Sequence, residues 1–469
     1  MRRFGDIARQ EYRAVGIHMA LSPQADLATE PRWSRITGTF GEDADVAGRL
    51  TAAYVAGFQG GTSGPTRDGV ATVVKHWVGY GAAKDGFDSH SHYGRFAIFA
   101  SSGMPLEYHA RPFAAAFAVN AAGVMPTYSI LQGAMWKGVP IEPVGAAYNK
   151  ALLTDILRGL YGFRGFVLTD WGITNDCNQR CLEGAPAGQR PSFQDIGMPW
   201  GVEDLPMRAR FVRAVQAGTD QFGGTERAEM LVEAVRAGEL AEPRLDSSVV
   251  RIMTQKFALG LFENPYVEEA RATDRVATQA MRDAALEAQR RSIVLLENRD
   301  GLLPLRGSRA RRVFLHGIAP DAATREGWTV VTDPAQADFA IVRLTAPFER
   351  LHPGYVFGAM QNEGSLAFRD GDADYEAFKH ASASVPTIVT VYLDRPAILT
   401  PIRDRARALL ANFGVSDAAL MDVITGRARP EGKLPFEIPS SMSAVESQKS
   451  DAPYDSERPL YPFGFGRGW

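Results

Sequence analysis

The stretch Gly162-Phe163-Arg164-Gly165-Phe166-Val167-Leu168-Thr169-Asp170-Trp171-Gly172 constrains the fold of this chain more than any other. Phe166-Val167-Leu168 is a short apolar run with a glycine turn before it and polar residues after it. That pattern fits a strand buried on both faces, as in a parallel sheet. Just upstream, residues 149–161 carry Leu152, Leu153, Ile156 and Leu160 at helical spacing, and Gly162 suits the helix stop. Helix, glycine turn, buried strand and carboxylate therefore follow one another. Asp170 falls at the carboxyl end of the strand, the end that meets ligand in α/β barrels and open α/β sheets. An aspartate in that place also suits the N-cap of a following helix, and the stretch alone leaves both roles open.

The same alternation continues along the chain. Residues 4–17 read as a helix with Ile7, Ala8, Tyr12 and Val15 on one face, followed by a strand over 17–21 that ends in Ser22-Pro23. A helix over 46–58 stops at Gly60-Gly61, and a β-branched run follows at 71–74. Helix 113–120 leads to strand 123–128, which ends at Tyr128. Beyond Asp170 the sequence is irregular and rich in Gly and Pro to about Val202. Helix 207–216 then runs into Ala217-Gly218-Thr219-Asp220, another strand end, and helices follow at 228–238 and 243–260. This predicts a parallel α/β domain, with too few units before Leu261 to close an eight-fold barrel. Residues 266–285 read as a linker that turns into a helix over 273–291. Strand-like runs at 312–316, 337–344, 387–393 and 408–413, with a helix at 418–424, predict a second α/β domain. A chain of 469 residues has room for two or three domains. The expected division is 1–265, a connecting segment 266–291, and 292–469.

Composition removes several classes of function. A net charge of −3 gives no electrostatic basis for binding nucleic acid or an anionic membrane. No apolar run is long enough to span a bilayer. The opening Met1-Arg2-Arg3-Phe4-Gly5-Asp6 lacks the apolar core of a secretory signal, which leads to the expectation of a cytoplasmic protein. Cys177 and Cys181 have no further zinc ligands arranged near them, and they read as loop or helix thiols that are not paired. Neither a metal nor an organic cofactor is expected. Aromatic residues make up 10% of the chain, which suits a sugar-binding cleft and a large core equally well.

Several motifs, met in one order, resemble glycoside hydrolase family 3, the β-glucosidase and exo-glucanase family. The opening stretch is similar to its G-F-x-G-x-x-x-S-D-W segment, with Thr169 where serine is usual. The resemblance makes Asp170 the candidate nucleophile and Trp171 a substrate-binding residue. Pro31-Arg32-Trp33-Ser34-Arg35, followed by Gly41-Glu42-Asp43, resembles P-R-W-G-R…G-E-D with Ser34 in place of glycine. Arg35 then maps to the arginine that holds the sugar in the −1 subsite. Lys75-His76-Trp77-Val78-Gly79-Tyr80-Gly81 resembles K-H-F-x-G-x-G, which makes Lys75 and His76 the sugar-binding pair. Adjacent lysine and histidine side chains at a strand end supply charged and neutral donors to neighbouring hydroxyls. Tyr128 matches a −1 subsite tyrosine. Ordinary structural roles compete: a salt bridge for Arg35, and for Tyr128 a buried hydroxyl bonded to backbone. Ser292-Ile293-Val294-Leu295-Leu296-Glu297-Asn298, Leu303-Pro304-Leu305, Gly432-Lys433-Leu434-Pro435-Phe436 and Tyr461-Pro462-Phe463-Gly464-Phe465-Gly466 resemble the family's second domain. The implied fold is an incomplete TIM-like (β/α) barrel followed by an α/β sandwich. Family members carry a further barrel unit before the equivalent of Arg9, with an aspartate that binds the −1 sugar. No residue here maps onto it, and the expectation is a homodimer in which a neighbouring chain covers the open side.

A retaining glycosidase works with two carboxyl groups about 5–5.5 Å apart, one as nucleophile and one as acid/base. Neighbouring cations such as Lys75 and Arg35 would keep Asp170 ionised. The resemblance implies an acid/base from the second domain. Glu349 follows directly on the strand-like run 339–344, and Pro347-Phe348-Glu349 resembles a P-Y-x-E stretch of exo-glucanase members. It is the expected acid/base. Glu363, in Asn362-Glu363-Gly364, resembles an E-G pair in other members and is the alternative. For either, a solvated surface glutamate is the ordinary role. Asp88-Ser89-His90 spells the D-S-H loop of the N-acetylglucosaminidase branch, in which an aspartate–histidine dyad makes the histidine the acid/base. Its loop is longer here, and Val78-Gly79-Tyr80 stands where that branch has P-G-H. The expected function is a retaining, exo-acting β-glucosidase taking β-glucosides or gluco-oligosaccharides. The alternatives are a β-N-acetylglucosaminidase using Asp88 and His90, or a carbohydrate-binding relative without catalysis.

Overall fold

The structure is a computed structural model in which residues 1–101, 105–306 and 311–469 are described. The chain forms two compact units. The first comprises Met1–Thr278 with Arg350–Glu363 and Lys449–Pro453; the second comprises Gln279–Glu349, Gly364–Gln448 and Tyr454–Trp469.

The first unit is built on five strands: β1 (Met19–Ala20), β2 (Ala71–Trp77), β3 (Gly123–Pro126), β4 (Phe166–Trp171) and β5 (Gln221–Gly223). They lie side by side in chain order, and each neighbouring pair is parallel. This is the winding of a (β/α) barrel left open. Val73, Val74, Phe166 and Val167 are buried, so the apolar runs form strands because both of their faces are covered. The register Val74↔Val124 and Val124↔Val167 brings the carboxyl ends of β2, β3 and β4 to one edge. Helix Ala44–Gln59 begins on Asp43, whose side chain accepts from the Val46 amide, and ends on Gly60 at φ 74°. Both end signals are of the expected kind. Helix Leu106–Ala118 starts earlier than the residue 113 expected, with Pro112 inside it. Trp77, Phe113, Val124, Leu153 and Val167 share the main apolar cluster of this unit.

The stretch after β4 is irregular, as expected, but it is pinned. Trp200 is buried and its indole donates to the Ser89 carbonyl at 2.8 Å. Cys177 and Cys181 form a disulfide, which corrects the reading of unpaired thiols. Asn178 caps a single turn of helix, Gln179–Glu183, and that turn sets the two Cα atoms 5.1 Å apart, inside the range a disulfide spans.

The second unit holds a six-stranded sheet. Its strands are β6 (Val294–Asn298), β7 (Arg312–His316), β8 (Thr329–Val331), β9 (Phe339–Thr345), β10 (Thr387–Tyr392) and β11 (Ala408–Asn412). Their order is β6-β11-β10-β9-β7-β8; β6 runs antiparallel to β11, and the other pairings are parallel. Ile341, Ile388, Leu410, Leu420 and Val423 lie in its core, helix Asp417–Thr425 supplying the last two. The fold class is as expected, an incomplete TIM-like barrel followed by an α/β sandwich. β8 escaped the sequence reading because three residues, Thr329, Val330 and Val331, carry too little period-2 signal. No described helix is long and apolar enough to cross a membrane.

Candidate active site

Asp170 sits at the end of β4 with its side chain 13% exposed. Its Oδ1 accepts the Trp171 amide at 2.8 Å. The next helix starts at Gln179 and is capped by Asn178, so Asp170 is not an N-cap. Thr169 is buried and its Oγ1 accepts the Gly223 amide at 3.0 Å, tying β4 to β5 directly beneath the carboxylate. A hydroxyl is all that bond requires, which accounts for threonine serving where serine is usual. Tyr128 donates its hydroxyl to the Trp171 carbonyl at 2.7 Å. Burial, and then the Asp170 charge, push the Tyr128 phenol well above its usual pKa. Trp171 is 44% exposed and rests on Gly223 and Gly224. Gly224 has φ +66°, and a Cβ there would stand 2.5 Å from the indole.

Lys75 and His76 end β2 beside Asp170. The Nε2 of His76 is 3.7 Å from Asp170 Oδ2. On its other side, His76 Nδ1 is 2.8 Å from Asp26 Oδ2, and the Asp26 oxygens also receive the His76 amide at 3.2 and 3.1 Å. Burial, then Arg35, push the Lys75 ammonium down, while Asp170 and Asp26 act the other way. The glycine in the motif is sterically required, since a Cβ on Gly81 would lie 1.7 Å from the Leu27 carbonyl, next to Asp26 in sequence.

Arg35 and the Asp88 loop form the next layer. Arg35 reaches the Tyr80 hydroxyl at 3.4 Å, and its Nε is 4.0 Å from Asp88. Burial works against the Arg35 charge, but Tyr80, Asp88 and Asp170 outweigh it and hold the guanidinium above its ordinary pKa. Asp88 is fully buried and acts as a hub. It accepts from Tyr80 at 2.8 Å, from the His90 amide at 2.9 Å and from Gln361 at 2.9 Å, and it lies 2.5 Å from His90 Nδ1. Burial would raise the Asp88 pKa, but the His90 ring and Arg35 hold it below the carboxylate range. The ring of His90 packs against Tyr128 and Phe357, with centroids 4.8 and 4.0 Å away.

The two glutamates differ. Glu363 is 1% exposed; it accepts from the Tyr93 hydroxyl at 2.9 Å and pairs with His352 Nδ1 at 2.9 Å. It belongs to the first unit, in the segment Arg350–Glu363 that also carries Phe357 and Gln361. Glu349 belongs to the second unit. Its side chain is 27% exposed, ion-paired to Arg369 at 2.7 Å and bonded to the Ser365 amide at 2.7 Å. The Ser365 amide and Arg369 outweigh its partial burial and lower its pKa.

The geometry thus gathers Asp170, Arg35, Lys75, His76, Tyr128, Trp171, His90 and Glu363 in the first unit, with Glu349 in the second. Asp26, Tyr80, Tyr93, His352 and Gln361 were not singled out from sequence. Asp26 had a usable signal: like Asp170, it is an acid just past a predicted strand end. Gln361 and His352 had none, because a long loop separates them from any strand. Among the described residues, no group of three or more His, Cys, Asp or Glu side chains is placed to hold a metal ion.

Residues 1–255 match the glycosyl hydrolase family 3 N-terminal domain, and residues 293–469 match its C-terminal domain. The chain belongs to glycosyl hydrolase family 3. It is 56% identical over 466 residues to the periplasmic beta-glucosidase/beta-xylosidase of Dickeya chrysanthemi, a match spanning 99% of this chain and 70% of that protein. Beta-glucosidase C of Emericella nidulans is 42% identical over 471 residues, spanning 99% of this chain and 72% of that protein. Among solved structures, a β-glucosidase from Erythrobacter marinus superposes with a TM-score of 0.81 at 22% identity, covering 100% of this chain and 67% of that one. A Listeria innocua β-glucosidase gives 0.79 at 23% identity, covering 100% and 68%. These likenesses support the fold. The expectation of a cytoplasmic protein is corrected by the family relation: the Dickeya relative is periplasmic. The Cys177–Cys181 disulfide agrees, since structural disulfides persist in oxidising compartments.

Proposed function

We propose that this family 3 member is a retaining, exo-acting β-glucosidase that removes terminal non-reducing β-D-glucosyl residues from glucosides or gluco-oligosaccharides. The observation that carries the mechanism is Asp170, a partly exposed carboxylate at a strand end, beside His76 and flanked by the Lys75 and Arg35 cations. Asp170 attacks the anomeric carbon and forms a glycosyl ester; water then cleaves the ester, and the configuration is retained. Arg35, Lys75, His76 and Tyr128 hold the glycone hydroxyls, and Trp171 offers an aromatic face to the sugar.

For the acid/base, Glu363 is the better fit of the two candidates. A general acid must hold its proton until the leaving oxygen needs it. Glu363 lies in the same unit as Asp170, buried and held by Tyr93 and His352, whereas the Ser365 amide and Arg369 lower the Glu349 pKa and keep it ionised. In sequence terms residues 1–265 then carry the nucleophile, 266–291 connect, and 292–469 supply the acid/base. Hydrolysis of 4-nitrophenyl β-glucoside by Asp170→Asn, Glu363→Gln and Glu349→Gln tests the assignment. Added azide should restore turnover of an activated glucoside in whichever glutamate variant has lost the acid/base.

One observation favours a second reading. His90 and Asp88 do form a close pair, the arrangement an N-acetylglucosaminidase dyad requires. Turnover of the N-acetylglucosaminide alone, abolished by His90→Ala, selects that reading. A melting shift with glucose and no turnover of either substrate selects a pure binder. For assembly we propose a homodimer, supported by the exposed apolar side chains Phe4, Val15, Phe257 and Phe262 of the first unit. A monomer mass by light scattering at assay concentration overturns it.

A further inference from the structure

Asp26 has no place in the mechanism above, yet it is the carboxylate most completely enclosed beside the nucleophile. Its loop is clamped to β2: the Ala25 amide donates to the Lys75 carbonyl at 2.6 Å, and the Lys75 amide donates to the Pro23 carbonyl at 3.0 Å. The Asp26 side chain is inaccessible to solvent. Both of its oxygens lie near the His76 amide, and Oδ2 also lies 2.8 Å from His76 Nδ1. The far nitrogen of the same ring, Nε2, is buried without a hydrogen-bond partner and points at Asp170 Oδ2 across 3.7 Å. The Tyr80 ring closes one face of the imidazole edge-on, with centroids 4.8 Å apart.

Asp26 and His76 share one proton, and its position decides what Asp170 meets. With Asp26 ionised, the imidazole donates Nδ1–H to it and turns an Nε2 lone pair towards the Asp170 carboxylate. Two electron-rich atoms then face each other in a dry site, where such repulsion is least screened. With Asp26 neutral, its O–H donates to Nδ1, its other oxygen keeps the His76 amide, and Nε2 carries a hydrogen towards Asp170. We propose that Asp26 is held as the neutral acid and so positions His76 to present Nε2–H to the Asp170 carboxylate. Asp26 is a positioning residue that acts through His76, and its value to turnover rests on Asp170 being the nucleophile.

The surroundings agree. The charged and titratable groups facing the pair are Lys75 from the same strand, Arg35 from the loop after β1, the Tyr80 phenol on one face of the ring, and His90 and Asp170 beyond it. Burial outweighs the opposing His76 amide, Arg35 and Lys75, and raises Asp26 to about 8. Burial, then Arg35, Lys75 and His90, push His76 well below its usual value, so the ring is neutral and its tautomer is set by Asp26. As pH rises through about 8, Asp26 loses its proton, Nδ1 takes up the hydrogen and the Nε2–H donor is lost.

The test is ¹⁵N NMR of histidine-labelled protein, with His76 assigned by its loss in His76→Gln. It is combined with pH profiles of wild type, Asp26→Asn and Asp26→Ser. The proposal expects the Nε2–H tautomer in wild type at about pH 6 and its conversion to Nδ1–H as pH rises through about 8. Asp26→Asn, whose amide can still donate to Nδ1, keeps the Nε2–H tautomer at all pH. The alkaline limb of the general acid is common to wild type and Asp26→Asn, so the kcat/KM ratio of Asp26→Asn to wild type should rise as pH passes through about 8, while Asp26→Ser loses about tenfold or more at the acid end and Asn recovers most of that loss. An Nδ1–H tautomer in wild type at about pH 6 overturns the proposal, whether or not the variants fold. Failure of the nucleophile assignment is read separately, as absence of a trapped 2-fluoroglucosyl ester on Asp170, and leaves the tautomer measurement intact.

Discussion

Both units present the carboxyl ends of parallel strands, and they use those ends differently. In the first unit the strand ends carry Lys75, His76 and Asp170, charged or titratable groups whose neighbours are other such groups. In the second unit the same position is filled by polar groups paired with one another. Asn412 ends β11 fully buried, donates to Thr390 on β10 at 2.8 Å and accepts the Gly414 amide at 3.1 Å. His316 ends β7 and lies 2.9 Å from Asp374. One sheet edge pairs Asn412 and His316 with neighbours of their own unit; the other leaves His76 Nε2 buried and without a hydrogen-bond partner beside a partly exposed carboxylate. Parallel strand ends are common to both, so the chemistry follows from the side chains placed on them rather than from the strands.

The comparison is broken most directly at Asp170. Asp170→Asn keeps the Trp171 amide contact but removes the nucleophile, and kcat/KM for an aryl β-glucoside should fall on the order of 10⁴-fold with an unchanged melting temperature. The next largest effect separates the glutamates. Glu363→Gln should lower kcat/KM for a poor leaving group by about 10²- to 10⁴-fold. The loss should be much smaller for a good leaving group, because an activated aglycone departs without a proton. Glu349→Gln should chiefly loosen the Ser365 and Arg369 contacts. A leaving-group dependence seen in Glu349→Gln and absent from Glu363→Gln would return the acid/base role to Glu349.

Two smaller changes set position against stability. Gly224→Ala forces the Trp171 indole off its seat and places a side chain at φ +66°. Overpacking of this kind costs about 1–3 kcal/mol, and here it should appear as a raised KM with a modest fall in stability. Asn412→Ala in the second unit leaves the Thr390 hydroxyl and the Gly414 amide without their partner. It should cost about 1–3 kcal/mol in thermal or urea unfolding and leave KM alone. A change in KM with Asn412→Ala would mean that the second edge is not merely structural.

Much of this was legible in the sequence for local reasons. Buried runs such as Phe166-Val167-Leu168 announce strands because a parallel strand needs apolar side chains on both faces. A carboxylate just beyond such a run is then placed by backbone geometry alone, which is why Asp170 was readable. The open barrel and the second sheet followed from counting such runs. The Asp26–His76 contact was not readable, since it depends on β1 and β2 lying in register, a fact about pairing rather than about either segment. The choice between Glu349 and Glu363 is not readable from sequence for a related reason. Sequence places Glu349 at a strand end, but Arg369 and Ser365, twenty and sixteen residues on, decide its charge. The disulfide was missed because pairing at a separation of four depends on the turn capped by Asn178.

The last expected effect concerns how stability depends on pH and bears on the unpaired edge. An unfolded chain releases the Asp26 proton at about pH 4, whereas the folded protein keeps it to about pH 8. Between those values the native state binds the extra proton, so stability falls as pH rises, and the contribution is fully present only below the lower value. Asp26→Asn has no proton to release and should not show that decline. Its melting temperature should therefore gain on wild type progressively from about pH 4 to about pH 8 and hold a constant lead above that. Other groups titrate over the same range, but they do so in both proteins and cancel in the difference. A difference that stays flat across the window would place the Asp26 proton elsewhere and make its burial a matter of packing alone.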